Sequence, residues 1–169
     1  MRPLRPKSEA PSVHAVDYRA LWERGLRALI FDLDNTLARW RAGPPADEVL
    51  TLLGKLKEQG FKVAVLSNGR LSKRPEVLRS FSELGIPVIW PARKPLPAGF
   101  KQALRELAAR PGETVMIGDQ LFTDVLGGNL VGLYTVLVRP LDPGRESRFT
   151  KLNRWLERLS HRRRPVPGR

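Results

Sequence analysis

The sequence predicts an α/β fold built on a central, mainly parallel sheet. Short apolar runs alternate with stretches of helical period, and the apolar runs stop on carboxylates or small polar residues. Glycine or proline marks most of the junctions between them.

Residues 1 to 17 are Pro-rich and weakly patterned and read as a loose or partly docked arm. Residues 18 to 161 read as one domain, and 162 to 169 as a basic tail. A short helix over Tyr18 to Arg24 ends at Gly25. The run from Arg27 to Asp34 is a buried parallel strand whose end opens into a site. After Gly43-Pro44-Pro45, apolar residues at Val49, Leu50, Leu53 and Leu56 define a helix over Asp47 to Gln59. Phe61 to Leu66 is a second strand, ending in Ser67-Asn68-Gly69. A helix from about Arg74 to Leu84 leads to a short strand, Pro87 to Trp90. Lys94-Pro95 precedes a helix over Ala98 to Ala109, and Thr114 to Gly118 is a strand ending on Asp119. Phe122 to Leu130 reads as helix, Tyr134 to Val138 as the last strand, and Thr150 to His161 as a terminal helix.

A length of 169 residues suits a single core. The absence of cysteine excludes disulfides, thiolate metal sites and cysteine nucleophiles. No apolar run reaches the ~18 residues of a spanning helix, and the N-terminus has no apolar stretch behind its basic residues. A cytoplasmic protein is expected, with peripheral attachment at the inner face of the membrane as a variant. The net charge of +13 predicts attraction to phosphorylated substrates, nucleic acid or an acidic membrane. Arginine outnumbers lysine 22 to 8, which a GC-rich genome would also produce. From Arg139 to Arg169, ten basic residues face three acidic ones, so that segment carries +7 of the total.

Asp32 and Asp34 hold the chemistry. Residues two apart on an extended segment point the same way, so two carboxylates converge at a strand end. Asp119 and Asp124, at the end of another strand, add two more acids. Any one aspartate is explained as a turn or cap residue; the four together need a divalent metal or a cationic ligand. An all-oxygen set favours Mg²⁺ over zinc. His14 and His161 lie near the chain ends and are poor ligand candidates.

Phe31-Asp32-Leu33-Asp34-Asn35-Thr36-Leu37 resembles the first motif of the haloacid dehalogenase (HAD) superfamily. Leu66-Ser67-Asn68, Lys94-Pro95, and Gly118-Asp119 with Asp124 follow in that superfamily's order. The resemblance implies a three-layer, Rossmann-like fold and a Mg²⁺-dependent phosphohydrolase. Asp32 would be the nucleophile and a metal ligand. Asp34 would be the acid/base, with its main-chain carbonyl on the metal. Thr36, Ser67, Asn68 and Lys94 would hold the phosphoryl group, with Lys94 also neutralising the nucleophile. Asp119 would be the main acidic metal ligand, supported by Asp124.

Many HAD phosphatases carry a cap domain. Only 33 positions separate Asp34 from Ser67, and 27 separate Ser67 from Lys94, which leaves no room for one. Gly118-Asp-Gln-Leu-Phe-Thr-Asp-Val-Leu-Gly-Gly-Asn129 and Thr150-Lys-Leu-Asn-Arg154 resemble the capless subfamily IIIA, YqeG-type phosphatases, which are similar to phosphatidylglycerophosphate phosphatase. An open site suits a substrate whose bulk stays outside.

Leu152, Trp155, Leu156 and Leu159 share a helical face, with Lys151, Arg154 and Arg158 among them and Arg162, Arg163 and Arg164 beyond. That helix either packs on the sheet or lies on an anionic membrane surface. The leading function is hydrolysis of phosphatidylglycerophosphate or a similar bulky anionic phosphomonoester. The alternatives are a phosphatase of nucleotides, phosphosugars or nucleic-acid ends, and an RNA- or ribosome-binding factor with a vestigial site.

Overall fold

Strand β2 (Ala28–Phe31) is buried at every residue, which only a central strand covered on both faces can be. In the computed structural model, which describes residues 3–143, it lies inside a six-stranded sheet of order β1-β6-β5-β2-β3-β4. The partners are β1 (Ser8–Ala10), β3 (Lys62–Leu66), β4 (Val88–Ile89), β5 (Thr114–Gly118) and β6 (Tyr134–Val138). Every pairing is parallel.

The strands sort their side chains by parity into two cores. Leu29 and Phe31, Val63 and Val65, and Val115 and Ile117 face one way. They pack against Leu21 of α1 (Tyr18–Glu23), Leu53 and Leu56 of α2 (Asp47–Glu58), and Val77 and Phe81 of α3 (Pro75–Glu83). Ala28 and Ile30, Ala64 and Leu66, and Met116 face the other way, onto Phe100, Ala103 and Leu104 of α4 (Pro97–Glu106). Val131, the last residue of α5 (Leu126–Val131), packs against that second core. The result is the expected three-layer, Rossmann-like architecture.

Residues 3 to 17, expected as a loose or partly docked arm, are docked. Ser8–Ala10 pairs with β6 as an edge strand, and Val13 and Val16 are buried in the first core. The Asn129 side-chain amide donates to the Pro3 and Arg5 carbonyls at 2.7 and 3.1 Å. Two valines and one covered sheet edge are enough to hold a segment whose sequence pattern is weak.

The helix expected over Phe122 to Leu130 divides into a π-helical turn, Leu121–Val125, and α5. One extra residue per turn there swings Asp124 inward, and such insertions recur at functional sites. The loop from β2 to β3 carries one helix. The segment from β3 to α4 carries a 3₁₀ turn (Leu71–Lys73), α3 and β4. Neither contains an inserted cap. Among the described residues no helix is long and apolar enough to cross a membrane. The terminal helix expected over residues 150–161 and the basic tail at 162–169 lie outside the described residues.

Candidate active site

Because the strands are all parallel, their carboxyl ends share one edge of the sheet, and the polar residues that follow them meet there. Asp32 follows β2, and its amide prolongs the ladder by donating to the Ile117 carbonyl at 2.9 Å. The chain then turns sharply: the amides of Thr36, Leu37 and Ala38 all donate to the Leu33 carbonyl, and Asn35 takes φ 71°. Ser67 and Asn68 follow β3, Lys94 follows β4, and Asp119 follows β5.

Lys94 is the centre of the site. Its ammonium lies 2.5 Å from Asp32 Oδ1 and 2.7 Å from Asp124 Oδ1, and all three side chains are at most 9% exposed. Its backbone is held as firmly: the Lys94 amide donates to Asn68 Oδ1 at 2.8 Å, and Asn68 Nδ2 donates to the Lys94 carbonyl at 3.1 Å. Asp124 is fixed in turn, since Oδ2 accepts the Gln120 amide at 3.2 Å. The close approach depends on Gly118, where a β-carbon would fall 2.3 Å from Asp124 Oδ2. On the other side Thr36 Oγ1 donates to Asp119 Oδ1 at 3.3 Å.

Asp34 faces a different cation. Its Oδ1 accepts from Arg74 Nη1 at 2.8 Å and from the Arg41 amide at 3.1 Å. Gly69 passes close by: a β-carbon there would lie 2.9 Å from Asp34 Oδ2 and 3.1 Å from Ser67 Oγ, and Ser67 Oγ accepts the Gly69 amide at 3.0 Å.

These placements refine the sequence reading. Asp32, Lys94, Asp119, Asp124 and Thr36 are brought together. Ser67 is buried beside Asp34. Asn68, expected to hold the phosphoryl group, has both side-chain polar atoms engaged by the Lys94 backbone. The side-chain oxygens that converge within 4.8 Å belong to Asp32, Asp119 and Asp124, so Asp124 takes the place in the carboxylate cluster that a D-x-D reading gives to Asp34. Arg74 was not anticipated. In Arg70-Leu-Ser-Lys-Arg74 it looks like one of several solvated cations, and only its position just beyond a strand end could have drawn attention to it.

Electrostatics argue for a divalent cation. Burial pushes the Asp32 carboxyl up to about 7; the charges of Asp124 and Asp34 add to the rise, and Lys94 opposes it. Burial likewise raises Asp119 well above the carboxylate range, with Asp32 and Asp124 adding to it. Burial works against the Lys94 charge, but Asp124 and Asp32 overcome it and hold the ammonium above its ordinary value. Fully ionised, the four carboxylates would exceed the two paired cations, Lys94 and Arg74, by two negative charges. Asp32 Oδ2 is buried and meets no hydrogen-bond partner among the described residues. An Mg²⁺ ion fits both facts: it matches the charge, prefers oxygen ligands, and gives Oδ2 a partner.

Comparison with known proteins agrees. The haloacid dehalogenase-like hydrolase family matches residues 38–132. The probable phosphatase YqeG of Bacillus subtilis is 37% identical over 154 residues, covering 90% of this chain and 87% of that protein. The chloroplastic phosphatidylglycerophosphate phosphatase 1 of Chlamydomonas reinhardtii is 34% identical over 146 residues, covering 80% of this chain but only 53% of the algal protein. Among solved structures, an uncharacterized protein from Listeria monocytogenes superposes with a TM-score of 0.54 at 20% identity, covering 80% of this chain and 99% of that one, a likeness of fold. The chain belongs to the haloacid dehalogenase-like hydrolases. Within them it is of the YqeG kind, an enzyme of the phosphatase class.

Proposed function

We infer that the chain is a Mg²⁺-dependent phosphomonoesterase in which Asp32 is the nucleophile. The observation that carries this reading is the state of Asp32: one oxygen is paired with Lys94, and the other is buried beside Asp119 and Asp124 with no hydrogen-bond partner among the described residues. Asp32, Asp119 and the Asp34 main-chain carbonyl would hold the ion, which would draw charge from the phosphoryl oxygens when bound.

The chain's own groups supply the remaining steps. An Asp32 oxygen attacks phosphorus, and the ester oxygen departs with a proton from Asp34, leaving an aspartyl-phosphate. Asp34 then takes a proton from water as that water attacks phosphorus, which releases phosphate and restores the Asp32 carboxylate. Lys94 offsets charge on Asp32 and on the group in transit, while Ser67, Thr36 and the amides around Asn68 orient its oxygens. The side chain of Asn68 acts through Lys94.

The substrate is a phosphomonoester with a bulky, amphiphilic anionic remainder, with phosphatidylglycerophosphate as the leading candidate. Neither connection carries a cap, and Arg39, Arg41, Arg70 and Arg93 stand exposed beyond the strand ends. Leu96, two residues past Lys94, is 58% exposed; Leu141, whose amide donates to the Asn35 carbonyl, is 44% exposed. The algal relative is named for that lipid substrate. The basic segment at residues 150–169 would meet the anionic membrane that bears such a lipid, placing the protein at the inner face of the membrane.

The test is phosphate release from a panel of nucleotides, phosphosugars and phosphatidylglycerophosphate in mixed micelles, with Mg²⁺ or EDTA. Release that needs Mg²⁺ and ranks the lipid first supports the reading. A preference for nucleotides would remove the lipid assignment. No release from any substrate, together with salt-sensitive RNA binding, would favour the RNA-binding alternative.

A further inference from the structure

The Asp34–Arg74 pair carries more than charge balance. Arg74 sits between the 3₁₀ turn Leu71–Lys73 and α3, and its side chain is only 12% exposed. One amino group, Nη1, is spent on Asp34 Oδ1. The other two nitrogens, Nε and Nη2, are buried and have no hydrogen-bond partner among the described residues.

Nε–H and Nη2–H form the side-on edge of a guanidinium, two parallel donors whose spacing matches two oxygens of a phosphate or carboxylate. Burying such an edge without a partner is unfavourable, and a native protein keeps an arrangement of this kind where a bound group completes it. Among the described residues no carboxylate does so. Asp34 takes Nη1, and Asp32 and Asp124 are engaged by Lys94.

The location says which group would complete it. On the functional reading above, Asp34 stands at the leaving oxygen, and the transferring phosphoryl group lies on the Asp32 and Lys94 side. Arg74, anchored to Asp34 through Nη1, therefore stands on the side of the alcohol half of the substrate. We propose that Arg74 forms a second-anion subsite, gripping a phosphodiester or carboxylate borne by the leaving alcohol while Nη1 keeps Asp34 in place. The subsite selects phosphomonoesters whose alcohol carries its own negative charge, and lysine could not replace the arginine because an ammonium offers no side-on pair.

The experiment compares three substrates: glycerol phosphate, its methyl ether on the far hydroxyl, and the analogue with a methyl phosphodiester there. The full-length wild type is run beside Arg74→Lys and Arg74→Gln with Mg²⁺, and the readout is the ratio of kcat/KM between diester and ether. The wild type is expected to favour the diester by about tenfold or more, and both variants to bring the ratio close to one. Binding of hydrolysis-resistant phosphonate forms of the same pair, by calorimetry, should show the same ratio and its loss in Arg74→Lys. A ratio near one in the wild type, or an equal fall for both substrates with the ratio kept, would overturn the subsite and leave Arg74 a positioner of Asp34. Should turnover be absent altogether, the phosphonate ratios still decide the subsite, while the phosphatase reading falls separately.

Discussion

Asn68 holds Lys94 by the backbone rather than by the charge. Its carboxamide oxygen accepts the Lys94 amide at 2.8 Å and its amide nitrogen donates to the Lys94 carbonyl at 3.1 Å, a two-point clamp between the loops after β3 and β4. The reach of the Lys94 ammonium to Asp32 and Asp124 depends on where that backbone sits. Asn68→Ala is expected to cost about 1–3 kcal/mol of stability and to lower kcat by about tenfold or more, since misplacing a catalytic group by about an ångström has that effect. Asn68→Asp keeps the acceptor and loses the donor, so it should fall between. Denaturant midpoints and steady-state rates measured on the three proteins check the order; an Asn68→Ala protein with wild-type kcat would show that the clamp is dispensable.

Removing the Lys94 charge should unbalance its two partners. Lys94→Met strips the cation from two buried carboxyl groups, Asp32 and Asp124, at a cost of about 3–5 kcal/mol for the metal-free protein near neutral pH. Adding Asp124→Asn removes one of those groups. The double variant is therefore expected to recover part of the loss, which a double-mutant cycle by urea unfolding measures as coupling. Strict additivity of the two changes would contradict the triad.

Gly118 is required by space. With a β-carbon 2.3 Å from Asp124 Oδ2, Gly118→Ala should displace Asp124, destabilise by about 1–3 kcal/mol and weaken stabilisation by Mg²⁺. Gly112 has nothing within 4 Å of the same position, so Gly112→Ala should stay within about 0.5 kcal/mol of wild type. Thermal melts of both variants with and without Mg²⁺ make the comparison.

The buried acids set a pH dependence. Burial lifts Asp32 from its ordinary 3.8 to about 7 in the metal-free fold. Between those values the folded state keeps a proton that the unfolded state has lost, so stability falls as pH rises through the interval, by at most about 1.4 kcal/mol per pH unit for this group. Above about 7 both states are ionised and the slope from Asp32 vanishes. Asp119, also raised by burial, acts in the same direction. Asp32→Asn is expected to flatten the slope and to be more stable than wild type at pH 8 without metal. Mg²⁺ should raise the wild-type melting point more at pH 8 than at pH 5, where protons compete for its ligands. A stability that climbs from pH 4 to 7 in EDTA would contradict the burial of these acids.

The four inner strands and the order of their polar ends were legible because each is a mainly apolar run closed by a polar residue, as in Ala28–Phe31 before Asp32 and Thr114–Gly118 before Asp119. Such runs state their own burial. The docking of Ser8–Ala10 was not legible, since three residues carry no period and their pairing depends on the edge that β6 presents. Nor was the π-helical turn at Leu121–Val125, where Asp124 turns inward because Gly118 leaves room, a relation between residues that local pattern does not contain. Asp32, Lys94 and Asp119, which the fold brings together, were singled out through motif order. Arg74 escaped it, because its partner, Asp34, is 40 positions away and no spacing rule joins them.

The central claim is that Asp32 carries the phosphoryl group between two half-reactions. Acid-quenched turnover followed by mass analysis of the peptide spanning residues 28–39 tests it most directly. The account predicts a phosphate adduct on Asp32 that forms with Mg²⁺, is absent with EDTA, is lost in Asp32→Asn, and accumulates in Asp34→Asn with an aryl phosphate, whose leaving group needs no acid while the attack of water still needs its base. Mg²⁺-dependent phosphate release that persists in Asp32→Asn, with no adduct in the wild type at any quench time, would contradict it.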